Sequence, residues 1–359
     1  MNPENVIGFE ALYRSMQKCQ KGVIWKDSVA GYTLHSIERT LKMEAQLHNG
    51  SYKEKPTKCF EITSPKKREI ISIAFSDRIY QRSLNDNAVY EEMTRDFVEW
   101  NCACQQGKGT DKARKYMETL MREAYKRAGL DAAVAVYDVH GYYPNMRHDI
   151  AENEFKRKLD PWTYEKVIRI LHCQYDGDKG YNPGSQLIQI AGISCLNGLD
   201  HLVDDNPDKI GAVRFMDDGI SSYASTEKAE RALRSIVGYM AMIGFKPNPK
   251  KTCVMKVTEK IPFMGYYYWI TPSGQLRIMA NPKKVKEIRV RLRRQVHACK
   301  RGHITKASVY RGYASIREGP QYGQNNKLIR RMDAYFKSLW EETNESSKNE
   351  RGSKRKADD

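Results

Sequence analysis

The 359-residue chain carries 61 Lys or Arg against 44 Asp or Glu, a net charge of +17, with 40% hydrophobic and 10% aromatic residues. This composition excludes a disordered chain and is sufficient for more than one packed subdomain. The longest apolar run, 132–137, is far shorter than the roughly 20 residues that cross a bilayer. The amino terminus lacks the apolar segment of a secretory signal. The sequence therefore predicts a cytoplasmic protein without a membrane segment.

Positive charge is concentrated near the end of the chain. Residues 281–340 hold 16 Lys or Arg and three acids, whereas the residues before them are nearly balanced. Such a segment favours a polyanionic partner, although composition alone also allows a merely soluble basic protein. Cys102 and Cys104 are the one close cysteine pair, and no second pair completes a zinc site.

The elements that precede the first notable acid are a helix and a strand. Apolar residues recur with helical periodicity between Thr110 and Gly129 and predict a helix there. The segment 132–138, AAVAVYD, is small and β-branched on both faces, which is typical of a central strand buried on both sides. This strand ends at Asp138.

A hairpin is predicted at 211–224. The runs 211–216 and 220–224 flank Asp217-Asp218-Gly219, and we expect the turn there because glycine accepts the positive φ of a primed turn. A helix follows from Thr226 to Gly244, and a pair of strands is predicted at 252–257 and 263–270. Helical periodicity returns from Pro282, and the polar segment from 341 predicts a disordered tail. This order of elements indicates an α+β fold.

Three carboxylates stand at the ends of the predicted strands. Asp138 ends one strand, and Asp217 and Asp218 lie in the hairpin 79 residues later. Two neighbouring strands would bring them together, and their charges would then need divalent cations such as Mg²⁺, which prefers oxygen ligands. This arrangement is typical of two-metal phosphoryl transfer. The alternative is that Asp217-Asp218-Gly219 is only a solvated turn.

Four ordered segments carry a family resemblance. The segments YDVHGYYPNM, RFMDDG, GFKPNPKKT and FMGYYYW resemble the palm of reverse transcriptases of the bacterial retroelement type. Upstream, KKREIISIAFSDRIYQ resembles the fingers segment of those enzymes, and CACQQGKGTDKA resembles the next block. The resemblance covers about residues 55–340 and is best to the enzymes of diversity-generating retroelements and to their group II intron relatives. It implies a right-hand polymerase with an antiparallel palm sheet and a helical thumb.

The resemblance also implies boundaries along the chain. They are an N-terminal region with fingers at 1–130, a first palm strand at 131–150, a return to the fingers at 151–185, palm at 186–275, thumb at 276–340 and the tail at 341–359.

Carried over to this chain, the family motifs imply a metal site and a nucleotide site. Asp138 and Asp217 would hold two Mg²⁺ ions, with Mn²⁺ as the alternative ion, Asp218 would assist, and Val139 would add its carbonyl. The implied nucleotide-site residues are Arg68, Lys66, Tyr143, Gln189 and Lys251. Arg68 would grip the triphosphate with the assistance of Lys66 or Lys67, and Lys251 would protonate the leaving pyrophosphate. Tyr143 would exclude a 2′-hydroxyl, so that the substrates are dNTPs and the product is DNA.

The resemblance implies two further nucleic-acid contacts. The segment Phe263-Met264-Gly265-Tyr266 would hold the primer's 3′ end, with the glycine allowing a close backbone approach. The thumb would follow the template–primer duplex through basic residues, namely Lys283, Lys284, Lys286, Arg289, Arg291, Arg293 and Arg294.

Two segments depart from the family pattern. Ile188 stands before Gln189 where diversity-generating enzymes have serine, and Gln105 and Gln106 replace an arginine and a proline. We therefore do not carry the fidelity and template choice of the family over to this chain.

The implied function is an RNA-directed DNA polymerase that makes cDNA from a structured or locus-encoded RNA, as in a diversity-generating retroelement. The alternatives are an anti-phage defence reverse transcriptase that uses a noncoding RNA and a catalytically idle RNA-binding protein on the same fold. The implied partners are template RNA, an RNA–DNA duplex and dNTPs, together with a small basic accessory protein or further copies of the chain.

Overall fold

A computed structural model describes residues 2–63, 68–182, 184–319 and 322–354 of the chain. The chain forms two compact units. The first comprises Met1–Leu120 and Val134–Val254, and the second comprises Met121–Ala133 and Met255–Asp359.

The first unit begins with helices. They are α1 (Glu4–Ile7), α2 (Phe9–Cys19), α3 (Asp27–Leu34), α4 (Ser36–His48) and α5 (Phe75–Leu84), which runs through a π-helical turn (Asn85–Val89) into α6 (Tyr90–Thr94). On α2, Leu12 and Met16 are buried one turn apart, as one face of an amphipathic helix requires. The Ser83 hydroxyl donates a hydrogen bond to the Val6 carbonyl at 2.6 Å and joins α5 to α1. Between α4 and α5, the strands β1 (Lys58–Ile62) and β2 (Arg68–Ser72) form an antiparallel hairpin.

A four-stranded sheet is the centre of the first unit. Its strands are β3 (Ala133–Asp138), β4 (Gly211–Phe215), β5 (Asp218–Tyr223) and β6 (Cys253–Lys256), in the order β4-β5-β3-β6. Every residue of β3 is buried, which confirms the predicted central strand. The predicted helices beside it are also confirmed, as α7 (Thr110–Ala128) and α13 (Thr226–Met242), and the Ser225 side chain caps α13.

The turn of the β4–β5 hairpin differs from the prediction. Phe215 pairs with Asp218, so the loop is Met216-Asp217, and Asp218 and Gly219 already belong to β5. The positive φ lies at Met216, at 58°, and not at the glycine. Gly219 is required for another reason, since a Cβ there would lie 2.1 Å from the ring of buried Tyr137. Packing, and not turn conformation, therefore explains this glycine.

Helices surround the sheet within the first unit. They are α8 (Tyr142–Asn145), α9 (His148–Lys158), α10 (Pro161–Gln174), α11 (Gln186–Ser194) and α12 (Asn197–Asp204). Asp160 caps α10 ahead of Pro161, a residue that fits the first helical position. Phe155, Val167, Leu187 and Leu199 share one apolar core with the helices of 4–94.

Besides the end of α7 from Met121 onward, the second unit contains a three-stranded sheet and three helices among the described residues. They are β7 (Ile261–Phe263), β8 (Tyr266–Ile270), β9 (Leu276–Ala280), α14 (Pro282–Lys300), α15 (Lys306–Glu318) and α16 (Asn326–Lys354). The sheet has the order β7-β8-β9. The prediction that 252–257 and 263–270 form one strand pair is therefore wrong, because β6 pairs with β3 and β8 pairs with β7 and β9. The helices pack around Leu292, Val296, Val309 and Phe336.

The last helix, α16, reaches into the polar segment that begins at 341. Its backbone is helical to Lys354, and the disordered tail expected from composition stays a prediction. Glutamate and lysine favour helices, and no proline interrupts this stretch. Every helix in the described part of the chain is too short or too polar to span a bilayer.

Candidate active site

Asp138 is the buried end of the central strand. It is 3% exposed, and its carboxylate accepts hydrogen bonds from the Asn248 amide at 2.7 Å and from the Lys251 ammonium at 2.5 Å. The backbone also holds it, because the Asn248 N–H donates to the Asp138 carbonyl at 2.7 Å. The segment after α13 thus supplies two of the side chains that contact this carboxylate.

Asp218 lies beside Asp138 because β5 and β3 are neighbours in the sheet. Lys251 Nζ donates to Asp218 Oδ1 at 3.1 Å, so one ammonium bridges the two carboxylates. Asp217 occupies the hairpin turn one residue earlier. The structure therefore brings Asp138, Asp218 and Lys251 together, and Asp217 directly precedes Asp218 in the chain.

The pKa values of the three acids reflect this crowding. Burial raises the pKa of Asp218 to about 7, helped by its hydrogen bond with Asp138 and by the charges of Asp138 and Asp217. Burial and the charge of Asp138 raise the pKa of Asp217 above its usual value. Burial also opposes the charge of Asp138, but hydrogen bonds from Asp218, Lys251 and Asn248 hold its pKa below the usual range. Repulsion between the negative charges of these carboxylates thus contributes to the raised pKa values of Asp217 and Asp218.

Lys251 is a firmly charged group in this cluster. Burial lowers its pKa, but its hydrogen bonds to Asp138 and Asp218 outweigh that effect and the pKa lies above the usual value. About half of its side chain is exposed.

The oxygen ligands at this site fit a divalent cation by their chemistry. Carboxylates are hard ligands of the kind that Mg²⁺ prefers, and Asp138, Asp217 and Asp218 supply three of them. The Val139 carbonyl is also available, because Val139 pairs with Pro247 in a bridge whose hydrogen bonds are made by the flanking residues. The carboxylates are not gathered around one point, however. Among the described residues, the one group of three ligand atoms within 4.8 Å is Glu4, Glu44 and His48.

Tyr143 packs against the helix that carries Gln189. Gly141, with φ 56°, turns the chain into α8, and Tyr142 donates a hydrogen bond to the Gly192 carbonyl of α11. A Cβ at Gly192 would lie 3.0 Å from the Tyr143 hydroxyl, so the phenol ring rests on this glycine. Gln189 precedes Gly192 by three residues and shares that face of α11. Burial raises the pKa of Tyr143 above its usual value.

The residue that departs from the family pattern in α11 is in the core. Ile188 is fully buried, whereas the adjacent Gln189 is half-buried. Ile188 therefore contributes to the packing of α11 in the core.

The predicted triphosphate contacts lie mostly outside the described residues. Lys66 is not described, and Arg68 is described by its backbone, which begins β2 opposite Ile62. Asp77 is buried and accepts hydrogen bonds from the Tyr52 hydroxyl at 2.6 Å and the Lys55 N–H at 2.9 Å, so it supports the fold beside β1.

A buried ion pair that was not predicted from the sequence lies under the hairpin. The Arg214 guanidinium, fully buried, binds both carboxylate oxygens of Asp200 at 2.6 and 2.5 Å. It also donates to the Met216 carbonyl at 2.7 Å, immediately before Asp217. An arginine within an otherwise apolar strand was the available signal, because buried charges require partners. Asn248 was likewise visible, inside the GFKPNPKKT segment, but was not predicted as a contact of Asp138.

The predicted primer-holding segment is the β7–β8 turn of the second unit. Phe263 pairs with Tyr266, and Met264 and Gly265 both have positive φ, at 48° and 86°. A Cβ at Gly265 would lie 2.8 Å from Lys284 Nζ, so the glycine admits a lysine side chain of α14. The nearest side chain to this glycine is thus a basic group of α14.

The basic residues of α14 differ in their surroundings. Arg289 lies over the Tyr335 ring at 5.2 Å and is half-buried. The others are exposed, namely Lys283, Lys284, Lys286, Arg291, Arg293 and Arg294. Arg289 therefore contributes to packing, and the remaining cations form the basic surface of this helix.

Comparison with known proteins identifies one family. A family model described as reverse transcriptase (RNA-dependent DNA polymerase) matches residues 54–268, more than half of the chain. The matched region contains Asp138, Tyr143, Asp217, Asp218 and Lys251. No curated protein matches the sequence.

Proposed function

The chain belongs to the reverse transcriptase family, the RNA-directed DNA polymerases with a palm-type fold, and from that premise we propose that it copies a structured, locus-encoded RNA into cDNA by two-metal nucleotidyl transfer. The observation that supports this proposal best is the cluster of Asp138, Asp218 and Lys251, with Asp217 in the adjoining turn.

Asp138, Asp217, Asp218 and the Val139 carbonyl are the proposed metal ligands. A pair of bound Mg²⁺ ions supplies activation of the primer 3′-hydroxyl and neutralisation of the pyrophosphate charge. Asn248 keeps the Asp138 carboxylate oriented through its 2.7 Å hydrogen bond. Lys251 carries the proton that the leaving pyrophosphate would accept, and its elevated pKa keeps that proton in place before the reaction.

Tyr143 and Gln189 are the proposed nucleotide-selecting residues. The Tyr143 ring packs against Gly192, and this contact supports its role as a steric barrier to a 2′-hydroxyl. Arg68 and Lys66 are proposed as triphosphate contacts because a guanidinium fork suits phosphate oxygens.

Incorporation of nucleotides on a primed RNA tests this function. We expect Mg²⁺-dependent incorporation of dNTPs, abolished in Asp217→Ala and retained in Glu227→Ala, an exposed acid of α13 outside the cluster. Tyr143→Ala should admit rNTPs while the wild type excludes them. Purified protein that incorporates no dNTP on any primed RNA would contradict the proposal.

The biological role is proposed as that of a diversity-generating retroelement, in which a small basic accessory protein assists. The family resemblance of the motifs supports this role, and phage defence with a noncoding RNA, by a chain that self-assembles, is the alternative. Sequencing of cDNA made in cells separates them. Errors directed to template adenines are expected for the first role, and repeats or homopolymers for the second.

A further inference from the structure

The helices of the second unit form a groove that the proposed polymerase chemistry does not use. It has a volume of about 890 Å³ and lies along α15 and α16. Aromatic and basic side chains line it, among them Lys306, Tyr310, Tyr313, Phe336 and Trp340. This combination differs from an ordinary solvated helix surface, in which exposed aromatic residues are uncommon.

The aromatic rings of the groove form two stacked pairs. Tyr313 stacks on Phe336 with ring centroids 4.0 Å apart and an interplanar angle of 12°, and both residues are buried. Tyr310 stacks on Trp340 at 5.7 Å and 26°, and Tyr310 is 47% exposed. The inner pair therefore belongs to the core, whereas the outer pair presents an aromatic surface to solvent.

The charges around the rings leave an excess of positive charge. Asp333 pairs with Arg317 at 2.8 Å, and Glu341 pairs with Lys337 at 3.6 Å, so both acids of the groove are neutralised. Lys306 has no acidic partner among the described residues, and its Nζ lies 5.8 Å from the Tyr310 ring and 5.4 Å from the Trp340 ring.

We propose that this groove binds an unpaired nucleotide of RNA, with its base stacked on Tyr310 and its phosphate near Lys306. A base inside a duplex is already stacked on both faces, whereas an unpaired base offers a free face to an aromatic side chain. The adjacent ammonium then complements the phosphate charge. The choice of RNA as the ligand rests on the proposed function, because a structured template contains unpaired loops and bulges. The stacking geometry itself does not depend on catalysis.

Binding of short fluorescent RNAs to the full chain tests the inference. The probes are a single-stranded RNA, the same strand with abasic positions, and a blunt hairpin, measured by fluorescence anisotropy. Loss of one stacked base costs roughly 1–3 kcal/mol, which is about a 5- to 150-fold loss of affinity. We therefore expect the wild type to bind the base-bearing strand more tightly than the abasic strand by a factor in this range.

Substitutions in the groove test whether the preference for the base-bearing strand arises there. Tyr310→Leu keeps an apolar side chain against Phe336 but should abolish the preference, whereas Tyr310→Phe keeps the ring and should retain it. Lys306→Gln should weaken binding of the single strand more than Lys327→Gln, a matched removal of an exposed lysine on α16. Thermal unfolding of each variant shows whether it is folded.

Two results overturn the inference. One is an equal affinity of the wild type for base-bearing and abasic strands, which shows that the chain binds phosphate alone. The other is a preference that persists in folded Tyr310→Leu. Wild-type incorporation on a primed RNA is measured separately, so its absence contradicts the proposed function without changing the binding comparison.

Discussion

Arg214 illustrates how one buried side chain positions an active-site turn. Its guanidinium satisfies Asp200 with two hydrogen bonds and uses a third donor for the Met216 carbonyl. Met216 has a φ of 58°, a conformation that a side chain such as methionine rarely adopts. The Met216 carbonyl belongs to the peptide that joins Met216 to Asp217. The hydrogen bond from Arg214 therefore orients this peptide and, through it, Asp217.

We expect Arg214→Met to destabilise the protein by about 3–5 kcal/mol, since it leaves the Asp200 charge buried without its partner. Arg214→Met combined with Asp200→Leu should recover most of that stability, because both charges are then removed. The double variant should still incorporate dNTPs poorly, because the Met216 carbonyl has lost its donor. Denaturant unfolding and primer extension measure the two effects, and a double variant with wild-type kcat would show that Arg214 acts on stability alone.

Lys251 competes with any cation for Asp138 and Asp218, because its ammonium contacts both carboxylates. Lys251→Gln should therefore bind Mg²⁺ more tightly, by about 2- to 5-fold, which corresponds to the modest strength of a half-exposed ion pair. The same change should lower kcat by about 100-fold or more, because the acid for the leaving pyrophosphate is lost.

Titration calorimetry without substrate measures the metal affinity of Lys251→Gln, and single-turnover extension measures its rate. Lys250→Gln is the matched control, because Lys250 is exposed and is the adjacent residue in the chain. Weaker Mg²⁺ binding in Lys251→Gln would mean that the lysine organises the carboxylates more than it competes for them.

At the scale of elements, the β4–β5 hairpin depends on the close approach of β3. A Cβ at Gly219 would lie 2.1–2.5 Å from two ring carbons and the hydroxyl oxygen of Tyr137, which is itself buried. Gly219→Ala should therefore shift the hairpin, cost about 1–3 kcal/mol of stability through overpacking and reduce incorporation. Gly238→Ala in α13 is the control, since apart from its chain neighbours and the nearby backbone of its own helix nothing lies within 4 Å of the added Cβ, and there the helix should gain up to about 1 kcal/mol. Equal unfolding midpoints for the two variants would contradict the inference that the contact with Tyr137 requires a glycine at position 219.

Local patterns predicted the elements of this region well, because helical periodicity and a fully apolar strand are properties of short segments. The limits of α7, β3 and α13 follow the predicted ones within two residues. Pairing was harder, since nothing within 252–270 indicates that β6 joins β3 while β8 joins β7 and β9. The partner of a strand depends on the packing of the whole sheet. The four helices between Glu4 and His48 were not predicted individually.

The candidate site shows the same contrast. Motif order predicted Asp138, Asp217, Asp218 and Lys251, and the structure places three of them in direct contact. The contacts of Arg214 and Asn248 were not predicted, because each joins segments far apart in the sequence, and only the fold reveals their partners.

At the scale of the whole molecule, the carboxylates of the candidate active site and most of the excess positive charge lie in different units. The carboxylates lie in the first unit, within 134–254, and the excess of 13 positive charges falls at 281–340 of the second. Arg291, Arg293 and Arg294 are exposed and have no acidic partner among the described residues, whereas Arg289 is held against Tyr335. The three exposed arginines are therefore the better test of duplex binding.

Changing Arg291, Arg293 and Arg294 together to Gln should weaken binding of an RNA–DNA primer–template and reduce its dependence on salt. If each arginine neutralises one phosphate, the slope of log K against log salt falls by about 2–3. The KM for dNTP should change little, because these residues lie on α14 and the proposed nucleotide site is built by the first unit. Arg289→Gln is the comparison: it should lower the unfolding midpoint, since it removes the contact with Tyr335, and leave the salt slope nearly intact. If the triple variant has an unchanged salt slope, this face of α14 does not contact the duplex. If its KM for dNTP also rises, these arginines contact the nucleotide instead.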